Sequence, residues 1–164
     1  MARIAVMGSG SMGTAYGMIM ADAGGDVAMW AREPEVVEDV NTRHRNELYH
    51  PGLELPENLW CSLDPQEVLT GAEIVVLAIP SQTVRENLTA WRPMLEPDAL
   101  LVTLMKGIEQ GTKMRMSQVL EQVAEVPSDR AAVVSGPNLA REIIQRQPAA
   151  TTVACVNEQR AQQL

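Results

Sequence analysis

Phenylalanine is missing from this chain altogether, and Trp and Tyr bring the aromatic share to only 3% of 164 residues. Any interior must therefore be filled by aliphatic side chains and by the ten methionines, whose flexible thioethers close irregular gaps. Cysteine is nearly as scarce. Cys61 and Cys155 lack metal-ligand spacing and sit in apolar, strand-like runs, which excludes a disulfide framework and reads as two buried thiols. The two histidines, His44 and His50, lie in a polar segment with no partner at ligand spacing, so no metal site is expected. Positive charge is in deficit: 13 Lys and Arg against 21 Asp and Glu give a formal net charge of −8. Nonspecific binding to nucleic acid or to an anionic membrane needs clustered positive potential, so neither partner is expected, and any phosphate must be met by local groups. No apolar stretch reaches the roughly 18 residues of a membrane span, and no basic-then-apolar leader precedes the first strand. Membrane insertion is thus not expected, and a cytoplasmic location is. Internal repeats and low-complexity tracts are also lacking. The length suits one core, and residues 1–164 are read as a single domain.

What the chain does have is concentrated at its start. A short apolar run, Ile4 to Met7, leads into Gly8-Ser9-Gly10-Ser11-Met12-Gly13 and then into a helical pattern. Gly8 permits a tight turn out of a strand, Gly10 lets the backbone approach a pyrophosphate, and Gly13 lets helix and strand pack closely; amides at the helix start face the anion. Such spacing alone is weak, because glycine is common in turns. The context strengthens it: Met12, Ala15, Tyr16, Ile19, Met20 and Ala23 recur at helical spacing, Gly24-Gly25 stop the helix, and Val27 to Trp30 resume an apolar strand. This is a complete βαβ unit of the dinucleotide-binding kind. After the second strand, an acidic residue would hold a ribose 2′-hydroxyl and an arginine a 2′-phosphate. The chain offers Arg32 and then Glu33. Arg32 comes first, and its planar fork suits a phosphate, so NADP(H) is the preferred cofactor expected, with NAD(H) also open. The plain alternative is two solvated charges ahead of Pro34.

Strand and helix patterns continue to alternate. Residues 35–45 read as helix, 59–62 as a short strand, and Asp64-Pro65 open a helix ending near Gly71. Residues 74–79 are apolar on both faces, as a central parallel strand should be, and a helix follows over 81–91. Residues 100–104 repeat the strand pattern, 112–123 the helix, 131–134 a strand, 139–145 a helix and 149–156 a last strand. The alternation predicts an α/β fold with a doubly wound, mostly parallel sheet of the Rossmann type.

In such sheets the ligand lies beyond the carboxyl ends of the strands. Besides the glycine loop and Arg32, three ends stand out. Ala78-Ile79-Pro80-Ser81 could lie along a nicotinamide ribose or simply turn the chain. Thr103 to Gly107 deliver Lys106, a point charge suited to a phosphate or a polarised carbonyl, or else a solvated lysine at a strand end. Ser135 to Ala140 form a small-residue turn whose amides could receive an anionic or hydroxylated substrate, or which only connects strand to helix.

Taken together and in order, GSGSMGTA at 8–15, WARE at 30–33, NTRHRNELYHPGLELPENL at 41–59, AIPSQTVRE at 78–86, KGIEQGT at 106–112 and SGPNLAREI at 135–143 resemble the N-terminal half of the NAD(P)-dependent sn-glycerol-3-phosphate dehydrogenases. The resemblance covers nearly the whole chain, and the 41–59 motif is far more specific than the glycine loop. It implies cofactor contacts at Ser11, Met12, Arg32 and Ala140, with Tyr49 a weaker candidate, beside Gly8, Gly10, Gly13 and Glu33 from the loop and strand end. It further implies that Lys106 touches cofactor and substrate, and that Gly136 and Asn138 bind glycerol phosphate. Met12 stands where many members carry tryptophan or another large residue, and Asn138 where many carry serine. In the implied reaction a hydride passes from NAD(P)H to dihydroxyacetone phosphate, giving sn-glycerol 3-phosphate, with Lys106 stabilising the oxygen electrostatically or holding substrate. The family continues into a helical C-terminal domain that supplies a second lysine as proton donor. This chain is therefore expected to bind cofactor without turnover, with a homodimer open for the full-length form. The alternatives are a freestanding NADP(H)-binding module or sensor, and a related two-domain dehydrogenase of a hydroxy acid or keto lactone.

Overall fold

The computed structural model describes residues 1–164. Seven strands form one sheet: β1 (Arg3–Met7), β2 (Asp26–Trp30), β3 (Leu59–Ser62), β4 (Ile74–Leu77), β5 (Leu100–Thr103), β6 (Ala131–Ser135) and β7 (Thr152–Ala154), in the order β3-β2-β1-β4-β5-β6-β7. The first six are parallel, and β7 pairs antiparallel with β6. The chain order reverses between β1 and β4, where Ile4 pairs with Ile74, and this opens a crevice above their carboxyl ends. Between the strands run α1 (Ser11–Asp22), α2 (Pro34–Arg43), α3 (Pro65–Leu69), α4 (Val84–Trp91), α5 (Met116–Ala124) and α6 (Ala140–Ile144), with α7 (Glu158–Gln163) at the end.

The continuous apolar runs follow from burial on both faces. In β1, Ile4 and Val6 join the core beneath α1, α2 and α6, whereas Ala5 and Met7 join the core beneath α3, α4 and α5; β4 divides Ile74 and Val76 from Val75 and Leu77 in the same way. Met7, Met18 and Met29 are fully buried among these side chains, and Met116 nearly so, so the methionines serve largely as core filling. Helix starts are made by local chemistry. Pro34 and Pro65 stand at first-turn positions where a missing amide costs nothing, and the Asp64 carboxylate accepts from Gln66 N at 2.8 Å.

The doubly wound, mostly parallel sheet is as the alternation predicts, with differences at the ends of elements. The helix expected over 112–123 begins only at Met116, because Ile108 and Arg115 bridge antiparallel and Lys113 takes a left-handed turn with φ 59°. The strand expected over 149–156 shrinks to Thr152–Ala154, with Ala150 and Thr151 packed instead against Gly136. Helix α2 stops at left-handed His44, and the strand at 74–79 ends at Leu77, short of Pro80. The sequence pattern does not predict helix α7. Cys61 is buried, and burial pushes its thiol up to about 12, whereas Cys155 is only half-buried, because β7 is a sheet edge. Both are free thiols.

Candidate dinucleotide site

The glycine loop leaves β1 through Gly8, whose φ of +128° is open to glycine and whose Cβ, if present, would stand 2.6 Å from the Ala78 carbonyl oxygen. A Cβ on Gly13 would stand 1.8 Å from the Gly8 carbonyl oxygen, so this residue sets how closely α1 approaches the loop. Gly10 differs from both: its backbone is ordinary extended chain, and a Cβ there would meet only Tyr49 Cε1, at 4.0 Å. The room beside Gly10 is therefore left open by the protein. Helix α1 begins beside it without a side-chain cap and without an acidic residue in its first turn; the first helical bond runs from Thr14 N to Gly10 O at 2.9 Å. The amides of Ser11, Met12 and Gly13 precede that bond, and with the helix dipole they make a site for an anion.

The segment after α2 holds this loop from behind. Its ends pair through the Arg45–Glu54 bridge, and its middle turns two polar side chains inward. Buried Asn46 donates from Nδ2 to Ser9 O at 3.0 Å and to Thr14 Oγ1 at 2.8 Å, while Thr14 Oγ1 itself donates to Ser9 O at 2.9 Å. His50, also buried, bonds from Nε2 to Ser11 O at 2.8 Å, and a carbonyl partner requires that ring nitrogen to carry the proton. These bonds occupy the Ser9 and Ser11 carbonyls and tie the loop and the first turn of α1 to the segment behind them. Sequence reasoning assigned only Tyr49 in this motif and missed Asn46 and His50. Their signal was present in the density of polar residues at 41–59, but no periodicity said which of them turn inward.

Across the crevice, one pocket gathers Gly8, Gly10, Arg32, Glu33 and Tyr49 of the sequence-derived residues, and adds Trp30, Thr83 and Asn87. Trp30 is held by Nε1 donating to Leu63 O at 3.1 Å and by the edge of Trp91, 5.1 Å between ring centres. The Arg32 guanidinium is exposed and lies 3.6 Å from the Glu33 carboxylate. One can meet a phosphate while the other meets a hydroxyl, so the pair is compatible with either ribose. Ser11 and Ala140 line a neighbouring pocket that shares Tyr49. Met12 lines neither pocket and packs against the core.

The structure also brings together residues 30 positions apart: Lys106 Nζ donates to Gly136 O at 3.1 Å. Lys106 is exposed and is one of two lysines in the chain. Asn138 is turned inward, its Nδ2 donating to Tyr16 Oη and Thr151 Oγ1, both at 3.0 Å, while its Oδ1 is buried with no partner. Beneath the Lys106 loop, Arg85 holds buried Glu109 by two bonds at 2.8 and 2.9 Å. That guanidinium and the Thr112 hydroxyl hold the Glu109 carboxyl down to about 2, and Glu109 in turn raises Arg85. No three His, Cys, Asp or Glu side chains gather as metal ligands, and no helix is long and apolar enough to cross a membrane.

Comparison with known proteins shows the family. The family model described as NAD-dependent glycerol-3-phosphate dehydrogenase N-terminus matches residues 3–161. A glycerol-3-phosphate dehydrogenase [NAD(P)+] of Streptomyces avermitilis is 57% identical over 162 residues, 99% of this chain and 48% of that protein. One from Thermobifida fusca is 51% identical over 165 residues, 100% of this chain and 49% of that protein. The crystal structure of glycerol-3-phosphate dehydrogenase from Coxiella burnetii superposes with a TM-score of 0.89 at 28% identity, over 98% of this chain and 48% of that one. The chain thus spans about half the length of the relatives it matches.

Proposed function

The chain belongs to the NAD-dependent glycerol-3-phosphate dehydrogenase N-terminal family, and from that membership we propose that it is the cofactor-binding part of an oxidoreductase that reduces dihydroxyacetone phosphate to sn-glycerol 3-phosphate. The observation that carries this reading is the open room at Gly10 beside the uncapped start of α1, a cradle that a single Cβ would begin to fill. The pyrophosphate of NAD(P)H fits there against the amides of Ser11, Met12 and Gly13. Gly8 and Gly13 shape the loop, and Tyr49 and Ala140 flank the cofactor along the shared wall of the two pockets. Met12 contributes its amide, since its side chain belongs to the core. The adenosine end reaches Arg32 and Glu33. Arg32 prefers a 2′-phosphate, so NADPH is the favoured cofactor and NADH the weaker one.

When bound, the reduced nicotinamide supplies a hydride to the ketone carbon. Lys106 then stands on the substrate side with its proton held toward Gly136 O, where an ammonium stabilises oxygen charge as it develops. Gly136 bounds that space through its backbone, and Asn138 would meet the substrate through its backbone, since its side chain is turned inward to Tyr16 and Thr151 with Oδ1 buried. A lysine engaged this way orients and stabilises; it is not the main proton donor, which we assign to the part of the relatives beyond the matched half. The reaction is one of the cytoplasm. Titration of the chain with NADPH and NADH, read by the fluorescence of Trp30 in the pocket wall, tests the cofactor reading. Saturable quenching by both, with NADPH tighter, is expected, and quenching by neither overturns it.

A further inference from the structure

Lys106 owes its place to groups outside the dinucleotide pocket. The loop carrying it leaves β5 at Thr103, whose hydroxyl accepts from Met105 N at 3.1 Å, and turns at Gly107 with φ +118°. It closes as a narrow antiparallel excursion in which Glu109 N donates to Met114 O at 2.9 Å. Ile108, bridged to Arg115 at its base, is 56% exposed, so apolar burial does little to fix its course. Polar anchors from the segment after β4 do this instead. Gln82 brackets the loop: Nε2 donates to Ile108 O at 2.9 Å, and Oε1 accepts from Gln110 N at 2.9 Å. One turn further on, the Arg85 fork holds Glu109 and also donates to Gln122 Oε1 on α5 at 2.8 Å, and the Thr112 hydroxyl completes the carboxylate's shell. Desolvating a carboxylate to this extent is costly, and what a bidentate fork returns is geometric definition more than net stability.

We propose that Gln82, acting through Ile108 and Gln110, and Arg85, acting through Glu109, are positioning residues that hold the Lys106 ammonium at the Gly136 carbonyl and present it to the ligand side of the sheet. The inference rests on the reading of Lys106 as substrate-facing. It also joins two sites. Pro80, Thr83 and Asn87, from the same short stretch as Gln82 and Arg85, line the dinucleotide pocket. An occupant of that pocket presses on the anchor of the lysine loop, so cofactor and lysine are coupled through one turn of chain.

The two lysines make the test direct. Reductive methylation of the 164-residue chain with ¹³C labels only Lys106, Lys113 and the amino terminus, and Lys106→Arg and Lys113→Arg variants assign the signals. In the wild type, Lys106 should resonate apart from exposed Lys113 and shift further on addition of NADPH. Arg85→Met should move the Lys106 signal to the free-lysine position and abolish its NADPH response, in a protein that still unfolds cooperatively. Arg85→Lys, which keeps the charge without the fork, should recover part of both. Should Arg85→Met not fold, Gln82→Ala removes an exposed anchor and should move the signal in the same direction by less. A wild-type Lys106 signal in a folded Arg85→Met or Gln82→Ala protein overturns the proposal, since a merely stabilising pair would lower the melting temperature and leave that signal alone. If NADPH quenches Trp30 but shifts no lysine signal in the wild type, the coupling of cofactor and lysine fails, and if it does neither, the cofactor reading fails; in both cases the comparison of unliganded spectra still decides the positioning role.

Discussion

Two glycines in one loop separate binding from folding. At Gly10 the chain is extended and the nearest atom to a new Cβ is 4.0 Å away, so Gly10→Val should fold as the wild type does and fail to bind dinucleotide, its branches standing where the pyrophosphate must lie. At Gly13 a Cβ would overlap the Gly8 carbonyl at 1.8 Å, and Gly13→Ala should cost at least the ~1–3 kcal/mol typical of overpacking, because the obstacle is backbone that cannot step aside. Circular dichroism melts beside NADPH titrations check the pair; normal binding by Gly10→Val would put the phosphate cradle elsewhere. Arg32 bears on cofactor choice. Its guanidinium is exposed, so a charge-assisted bond to a 2′-phosphate is worth the low end of the usual range, and Arg32→Ala should weaken NADPH by about 1.5 kcal/mol, roughly tenfold, with little change for NADH. Equal losses for both cofactors would remove Arg32 from the 2′-phosphate site.

At the scale of elements, the glycine loop and the strands were legible because each leaves a local mark: steric need at a turn, or apolar residues on both faces of a buried strand. What was not legible depends on contacts distant in sequence. The late start of α5 goes with the Ile108–Arg115 bridge and left-handed Lys113, in a loop that the Glu109–Arg85 pair, 24 residues apart, ties down although its residues alone have helical spacing. Likewise the inward turn of Asn46 and His50 is decided by the carbonyls of Ser9 and Ser11, more than 35 residues earlier. The Arg85–Glu109 tie gives a pH signature. The Glu109 carboxyl is lowered from 4.5 to about 2 in the folded chain, first by the Arg85 bond and then by Thr112. A lowered carboxyl contributes stability that is complete above its unfolded value and is lost as pH falls through the folded one. Urea unfolding of wild type and Glu109→Gln should therefore differ fully at pH 6 and converge between about pH 4.5 and 2. A gap that stays constant over that window would mean that the fork does not hold the carboxylate in its charged form.

For the whole molecule, the sheet order places every candidate group on one edge: β1 and β4 at the reversal carry the glycine loop and the Pro80 turn, β2 carries Arg32, and β5 and β6 bring Lys106 to Gly136. On the proposed reading that edge receives a dinucleotide and offers little to a phosphorylated triose: one exposed lysine, one backbone carbonyl already engaged by it, and one amide oxygen that is buried. Relatives at 51–57% identity are about twice as long, and we attribute proton donation and most of the substrate phosphate site to their remaining length. The 164-residue chain should consequently bind NADPH yet show no measurable reduction of dihydroxyacetone phosphate. Missing general acid catalysis typically costs about 10²–10⁴ in rate, and missing substrate positioning multiplies that deficit. In a form extended to the length of the relatives, turnover should appear, and Lys106→Ala there should depress kcat and weaken substrate binding together, as the proposed contact of the ammonium with both ground and transition states requires. Robust NADPH oxidation by the isolated chain would show that this edge suffices for catalysis, and wild-type kinetics for Lys106→Ala in the extended form would reduce Lys106 to a solvated strand end.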